Sequence, residues 1–199
     1  MPHRLCPWWM GYLLMCPFRR FGQNPDKILA PYVSGGMTAL EVGPGMGFFT
    51  LPMARMVGPD GKVVAVDMQP KMLDTVRRRA AKAGLADRID ARDCRPTSLG
   101  IGDLAGKIDF VLAFAVVHEI PDSKRLFGEI VQAMKPGAWC LVSEPKFHVS
   151  DRDFYATIAT AEQQGMKLVE QPATWGRWTA VFTSASESHM RVDEQERPS

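Results

Sequence analysis

The fold is decided by the stretch Thr38-Ala39-Leu40-Glu41-Val42-Gly43-Pro44-Gly45-Met46-Gly47-Phe48-Phe49-Thr50. A short apolar run ends at an acid, three glycines then alternate with other residues, and a helix-compatible apolar segment continues through Val57. This pattern predicts a buried strand, a tight turn and a helix whose first N–H groups point out of the turn. Gly43 and Gly45 permit positive φ and leave room for a ligand beside the backbone, while Gly47 would let the helix start pack closely on the strand.

A second predicted strand, residues 62–67, ends in an acid, Asp67, about 20 residues past the glycines. A dinucleotide-binding fold places its ribose-binding carboxylate at such a position, so an NAD(P)-dependent oxidoreductase is one interpretation. Two features argue against it. Phe48 stands where the dinucleotide fingerprint has its third glycine, and Glu41 would repel a pyrophosphate but suit an ammonium group.

Five motifs in this order and spacing resemble those of the class I S-adenosylmethionine-dependent methyltransferases. They are Glu41-Val42-Gly43-Pro44-Gly45-Met46-Gly47, the acid Asp67, Arg92-Asp93-Cys94, the run 108–118 and Met134-Lys135-Pro136-Gly137-Ala138-Trp139. The resemblance covers roughly residues 24 to 184, and because it rests on five separate elements it is specific. It implies an α/β, Rossmann-like, doubly wound sheet of seven strands, mostly parallel with an antiparallel C-terminal edge strand and helices on both faces.

Composition and the extent of the resemblance divide the sequence into three parts. They are an aromatic N-terminal segment, 1–23, a domain that resembles the methyltransferases, 24–185, and a polar tail, 186–199, that is expected to be flexible. Within the domain, apolar runs and turn residues predict strands at 88–91, 108–114, 138–143, 166–170 and 178–183, and helices at 24–34, 70–84, 122–134 and 150–164.

The resemblance implies S-adenosylmethionine as the cofactor and assigns it a set of binding residues. The glycine-rich turn would contact the aminocarboxypropyl arm, Asp67 would accept from both ribose hydroxyls, and Asp93 would accept from the adenine amino group. The implied cofactor residues are Glu41, Gly43, Pro44, Gly45, Gly47, Asp67, Met68, Gln69, Asp93, Cys94 through its N–H, and Phe114 and Ala115 facing the methionine sulfur.

A catalytic base is less clearly marked than the cofactor site. His118 and Glu119 follow the fourth strand, where an imidazole could deprotonate a hydroxyl or thiol acceptor. The same histidine could instead only support the loop that carries it. Glu144 and His148 follow the fifth strand and could line the same cleft or lie on the surface.

The absence of one motif after the fourth strand limits the classes of methyl acceptor that are expected. Methyltransferases that act on exocyclic amines of bases or on side-chain amides usually carry Asn/Asp-Pro-Pro-Tyr/Phe after the fourth strand, whereas this chain has Ala113-Phe114-Ala115-Val116. A net charge of +2 gives no strong attraction to nucleic acid or membrane. A small-molecule acceptor is therefore expected, without nucleic-acid partners. A non-catalytic relative that binds the cofactor and regulates a partner protein is the remaining alternative.

The four cysteines, at positions 6, 16, 94 and 140, form no Cys-x-x-Cys pair, so neither a disulfide framework nor a zinc site is expected. Because disulfides are rare in the reducing cytoplasm, a cytoplasmic location is predicted. A thiolate-held metalloid acceptor at Cys6 and Cys16 is a further alternative. No apolar run reaches the ~20 residues of a membrane span, so no transmembrane segment is expected.

The segment from Leu5 to Phe21 is dense in large apolar side chains. Such a surface must be buried somewhere, against the outer helices, on a membrane surface, or across the carboxyl ends of the strands as a lid. The lid is the favoured prediction, with Trp8, Trp9 and Tyr12 forming the walls of an apolar acceptor pocket.

Overall fold

The computed structural model describes residues 23–184, which form one seven-stranded sheet in the order β3-β2-β1-β4-β5-β7-β6. The strands are β1 (Thr38–Val42), β2 (Lys62–Asp67), β3 (Ile89–Asp93), β4 (Ile108–Phe114), β5 (Met134–Pro145), β6 (Met166–Glu170) and β7 (Arg177–Ser184). Neighbours among β1 to β5 pair in parallel, and β7 is antiparallel to β5 and β6. The strand order reverses between β1 and β4, which is where open α/β sheets bind ligands.

Three of the five helices in the described residues begin after the caps that the sequence predicts. The five helices are α1 (Pro25–Leu29), α2 (Thr50–Met56), α3 (Pro70–Lys82), α4 (Ser123–Ala133) and α5 (Asp151–Gln163). Asn24 accepts hydrogen bonds from the Asp26 and Lys27 N–H groups, Asp122 caps α4, and Ser150 caps α5. Each cap satisfies N–H groups that have no partner within the helix.

The sheet is covered on both faces by apolar layers. One layer joins α1 and α2 to the central strands through residues such as Leu29 and Phe110. The other joins α4 and α5 to the opposite face through Phe127 and Phe154. These side chains have at most 1% of their surface exposed, so each contributes about 1.5–3 kcal/mol of burial, and the central strands form a rigid platform.

The predicted Rossmann-like fold is confirmed, with differences in detail. The antiparallel strand β7 lies between β5 and β6, so β6 occupies the edge. Strand β5 begins at Met134, and the residues 135–137 that the sequence predicts as a turn form a bulge in it. Met134 pairs with Ile108 but Trp139 pairs with Phe110, so the six residues 134–139 of β5 lie opposite the three residues 108–110 of β4. The positive φ of Gly137, 75°, permits this bulge.

Two further predictions concern the chain ends and the strand boundaries. Strand β3 extends to Asp93, which therefore ends that strand instead of following it. The predicted N-terminal lid, with Trp8, Trp9 and Tyr12, and the C-terminal tail lie outside the described residues. None of the helices found between residues 23 and 184 has the length and apolar character needed to cross a bilayer.

Candidate cofactor site and active site

The turn after β1 uses its glycines for different purposes. A Cβ on Gly43 would lie 2.6 Å from Val116 Cγ2, so this glycine allows the loop after β4 to approach. A Cβ on Gly47 would lie 2.8 Å from Leu51 Cδ1, which places this close contact against α2 and not against the strand. Gly45, at φ +54°, has no atom within 4 Å of its Cβ position and therefore faces open space. Gly45 is the part of the turn that a ligand can approach.

Two groups beneath the turn hold it in place. The Glu41 carboxylate is 3% exposed and accepts a hydrogen bond from Thr50 Oγ1 at 2.5 Å, which ties the end of β1 to the start of α2. Arg79 of α3 donates from Nη1 to the Met46 carbonyl, and its partial burial lowers its pKa. Glu41 was predicted for the site from the sequence, whereas Arg79 was not, because nothing local shows that α3 packs under the turn.

Asp67, at the end of β2, lies beside the open side of the turn. Its Oδ1 accepts from the Gln69 N–H at 2.9 Å, and the nearby backbone N–H groups of Gly45 and Met68 favour the ionised carboxylate. Burial raises the pKa of Asp67 from 3.8 to about 6, with a smaller contribution from the charge of Asp93. A carboxyl group with a raised pKa at a strand end, close to a glycine-rich turn, has the character of a ligand-binding group.

The next strand places a second acid at the same edge. Asp67 and Asp93 are partners in the β2–β3 register, and Asp93 is exposed. The Cys94 N–H, expected near the adenine, donates to the Asp67 carbonyl at 3.0 Å. That N–H is therefore used within the sheet, and Cys94 would have to contact a ligand through its side chain. Burial and the nearby acids raise the pKa of the Cys94 thiol to about 11, which keeps it neutral.

At the end of β4 the backbone is strained. Ala115 has φ +58°, and within the described residues no other non-glycine residue has a positive φ. Its N–H donates to the Ser143 carbonyl at 2.7 Å, which holds this conformation. A positive φ on alanine costs about 1–2 kcal/mol, and such strain concentrates where a loop must take a functional geometry.

Phe114, the residue before Ala115, is held by an arginine that was not predicted from the sequence. The Arg177 guanidinium carbon lies 3.9 Å from the centre of the Phe114 ring, a cation–π contact. The guanidinium also donates to Ser143 Oγ at 2.8 Å and to the Ser143 carbonyl at 2.7 Å, and Arg177 is 7% exposed. Since Arg177 and Ser143 are 34 residues apart, only the β5–β7 pairing brings them together.

His118 and Glu144 form a close pair across the ends of β4 and β5. Glu144 Oε2 lies 2.5 Å from His118 Nδ1, and Glu144 Oε1 accepts from the Val117 N–H at 2.7 Å. Glu144 belongs to β5 instead of following it, and its side chain is 1% exposed. The hydrogen bond to Glu144 raises the pKa of His118 above its usual value. The His148 ring stacks on His118 at 5.8 Å between centroids.

This arrangement fits S-adenosylmethionine better than a dinucleotide. The turn has an open glycine for the amino-acid arm, the Glu41 carboxylate lies beneath it, and Asp67 with its register partner Asp93 lies at the same edge of the sheet, which suits a cationic ligand and disfavours a pyrophosphate. In residues 23–184, no group of three or more His, Cys, Asp or Glu side chains could hold a metal ion.

Comparisons with known proteins agree with this geometry. Residues 33–186 match a family described as "Methyltransferase domain". An arsenite methyltransferase from Halobacterium salinarum is 31% identical over 121 residues, which are 61% of this chain and 30% of the relative. A protein-L-isoaspartate O-methyltransferase from Triticum aestivum is 32% identical over 115 residues, 56% of this chain and 47% of the relative. The chain therefore spans less than half the length of these two relatives.

A solved structure extends the likeness to the whole fold. The S-adenosylmethionine-dependent methyltransferase from Aquifex aeolicus superposes with a TM-score of 0.80 at 22% identity, over 90% of this chain and 99% of that one. The match to the family covers more than half of the chain, and the sheet and turn have the expected form. The chain thus belongs to the methyltransferase domain family and has the fold of the class I S-adenosylmethionine-dependent enzymes.

Proposed function

We propose that this protein transfers a methyl group from S-adenosylmethionine to a small-molecule acceptor at the carboxyl edge of its sheet. The observation that carries the proposal is the closeness of the open turn to an acid with a raised pKa: the Asp67 carboxylate lies near the Gly45 N–H, while the Cβ side of Gly45 faces free space. A ligand there could meet the turn backbone and the carboxylate together. When bound, S-adenosylmethionine would supply a methyl group activated by a positively charged sulfur.

The chain's own residues would hold and orient this cofactor. The turn from Gly43 to Gly47, with Pro44, would bind the amino-acid arm, and Asp67 would bind the ribose with Met68 and Gln69 beside it. Asp93 would accept from the adenine amino group, with Cys94 packing nearby. Phe114 and Ala115, fixed by Arg177 and Ser143, would border the reacting sulfur. The strain at Ala115 supports a functional geometry in this loop.

His118 is the residue we assign as the base in this proposal. It lies in the loop directly after β4, three residues beyond Ala115, and its side chain is 25% exposed. Its contact with a buried carboxylate supports a proton-accepting role more than a purely structural one.

A small molecule remains the proposed acceptor, because the sequence Ala113-Phe114-Ala115-Val116 lacks the motif of enzymes that methylate base amines or side-chain amides. The two relatives named above act, by their names, on arsenite and on protein isoaspartate, so they do not select one acceptor. The predicted pocket walls Trp8, Trp9 and Tyr12, and the cytoplasmic location, stay predictions.

The proposal is tested by incubating the full chain with methyl-labelled S-adenosylmethionine and a panel of phenols, thiols, amines and arsenite. We expect label in at least one acceptor and its loss in Asp67→Ala. Tight cofactor binding without transfer to any acceptor would favour the regulatory relative. Binding of NAD in place of the cofactor would favour the oxidoreductase.

A further inference from the structure

The pair formed by Glu144 and His118 has a geometry that fixes where the histidine carries its proton. Glu144 is buried at the end of β5, and its two oxygens are used separately. Oε1 accepts from the Val117 N–H, and Oε2 faces His118 Nδ1 at 2.5 Å. Val117 and His118 are consecutive, so a single carboxylate holds both the backbone of this turn and the orientation of the ring.

We propose that Glu144 is the positioning residue that keeps His118 ready to remove a proton from a phenol or thiol acceptor. This inference rests on the proposed methyltransferase function and names the acceptor class for that same site. An ionised carboxylate can only accept, so the neutral imidazole must carry its proton on Nδ1. Nε2 then has a free lone pair, and among residues 23–184 no hydrogen bond reaches it.

The surroundings of His118 favour a strong base. The carboxylates of Glu144 and Glu119 raise its pKa, whereas burial and the positive charge of Arg177 lower it, and the hydrogen bond to Glu144 is the largest effect. The His148 ring lies nearly parallel to the His118 ring, at 15°, and stacks on it. The net result is a pKa above 6.5 and a buried anion that stabilises the imidazolium once it forms.

The acceptor class follows from matching the acidity of the two partners. A thiol has a pKa of about 8.5 and a phenol of about 10, which lie within a few units of a histidine with a raised pKa. An aliphatic alcohol is almost as weak an acid as water, so its pKa lies many more units above that of His118, and each unit is a tenfold loss in proton transfer. A neutral amine already presents a lone pair and gains little from a base.

The bond changes balance without a further reactant. The acceptor's proton moves to His118 Nε2, and the acceptor's lone pair forms a bond to the methyl carbon. The electron pair of the broken carbon–sulfur bond stays on sulfur and neutralises its positive charge. The imidazolium then releases the proton to water, with Glu144 still holding Nδ1–H.

Nitrogen NMR of the full chain, with S-adenosylhomocysteine bound and histidines labelled, tests the positioning role directly. His118→Gln identifies the signal. In the wild type we expect the Nδ1–H tautomer and a His118 pKa above the usual value for histidine. Glu144→Gln keeps an oxygen for the Val117 N–H but turns an NH2 group toward Nδ1, which moves the ring proton to Nε2. It should lower the His118 pKa by at least about one unit.

Glu119→Gln is the matched control, since it removes a neighbouring charge without touching Nδ1. It should lower the His118 pKa slightly and leave the tautomer unchanged. An Nε2–H tautomer in the wild type, or an unchanged His118 in Glu144→Gln, would overturn the inference. If the protein does not bind S-adenosylhomocysteine at all, the proposed function fails instead, so the two failures are distinguishable.

Three ring compounds of similar size, benzenethiol, catechol and aniline, test the acceptor class with labelled S-adenosylmethionine. We expect transfer to benzenethiol or catechol to exceed transfer to aniline. We also expect Glu144→Gln to slow transfer to catechol by about a hundredfold, with retained S-adenosylhomocysteine affinity. Because benzenethiol is the most acidic, its transfer should be slowed less than that to catechol. Transfer to aniline alone, or to none of the three, would refute the acceptor assignment.

Discussion

The open face of Gly45 gives the sharpest mutational test of the cofactor site, because Gly36 supplies a matched control. Both glycines have positive φ, +54° and +81°, and neither has an atom within 4 Å of its Cβ position. They lie at opposite ends of β1, with Gly36 just before the strand and Gly45 just after it. Gly45→Ala and Gly36→Ala therefore introduce the same backbone strain and the same methyl group, and differ only in whether that methyl enters the proposed site.

The expected magnitudes follow from these two positions. Alanine at positive φ costs about 1–2 kcal/mol, which lowers the melting temperature of a chain of this size by about 2–8 °C in both variants. A methyl group pushed into a bound ligand adds an overpacking cost of about 1–3 kcal/mol, or a five- to 150-fold loss of affinity in Gly45→Ala. Gly36→Ala should bind the ligand as the wild type does.

Calorimetric titration with S-adenosylhomocysteine, alongside thermal unfolding, measures both quantities. The reasoning would be refuted if Gly45→Ala bound with wild-type affinity while losing the same stability as Gly36→Ala. Equal losses of affinity in both variants would also refute it, since they would reflect general destabilisation and not a ligand beside the turn.

Two other predictions concern the ribose carboxylate and the N-terminal segment. Asp67→Ala should weaken S-adenosylhomocysteine binding by about ten- to a hundredfold, because hydrogen bonds to a charged group contribute about 1.5–3 kcal/mol. Asp60→Ala, in an exposed turn, is the control and should leave the affinity unchanged. Because the pKa of Asp67 is raised to about 6, protons compete with the ligand for this carboxylate below that pH. The affinity of the wild type for S-adenosylhomocysteine should therefore rise between about pH 5 and 7. An affinity that does not change with pH would argue against contact between Asp67 and the ribose. Deleting residues 1–21 should keep cofactor binding, abolish methyl transfer and cost little stability, as the lid prediction requires, whereas unfolding of the truncated protein would make that segment part of the core.

Local sequence patterns were enough to predict most of the elements. Strand β2 has the predicted bounds, and three helices begin after the predicted caps, Asn24, Asp122 and Ser150, because capping depends on residues within one turn of chain. The bulge at the start of β5 was missed because it depends on how 134–139 pair with β4, and a sequence Lys-Pro-Gly looks the same in a turn and in a bulge.

The site was predictable only where a motif is local. The glycine-rich turn and Asp67 can each be recognised from a few consecutive residues, and in the structure the two lie close together. The contact of Glu144 with His118 could not be predicted, since the two are 26 residues apart. Nor could the position of Arg177 over Phe114, since it depends on the bond of Arg177 to Ser143, 34 residues away. Both contacts are created by the pairing of β5 with β4 and β7, which fixes their register only after folding.

The central claim is that the carboxyl edge of this sheet binds S-adenosylmethionine and not a dinucleotide. Equilibrium titration of the full-length protein with S-adenosylhomocysteine and, separately, with NAD tests it most directly. We predict saturable one-to-one binding of S-adenosylhomocysteine that Gly45→Ala and Asp67→Ala weaken, and no detectable binding of NAD. Saturable binding of NAD together with no binding of S-adenosylhomocysteine would contradict the claim.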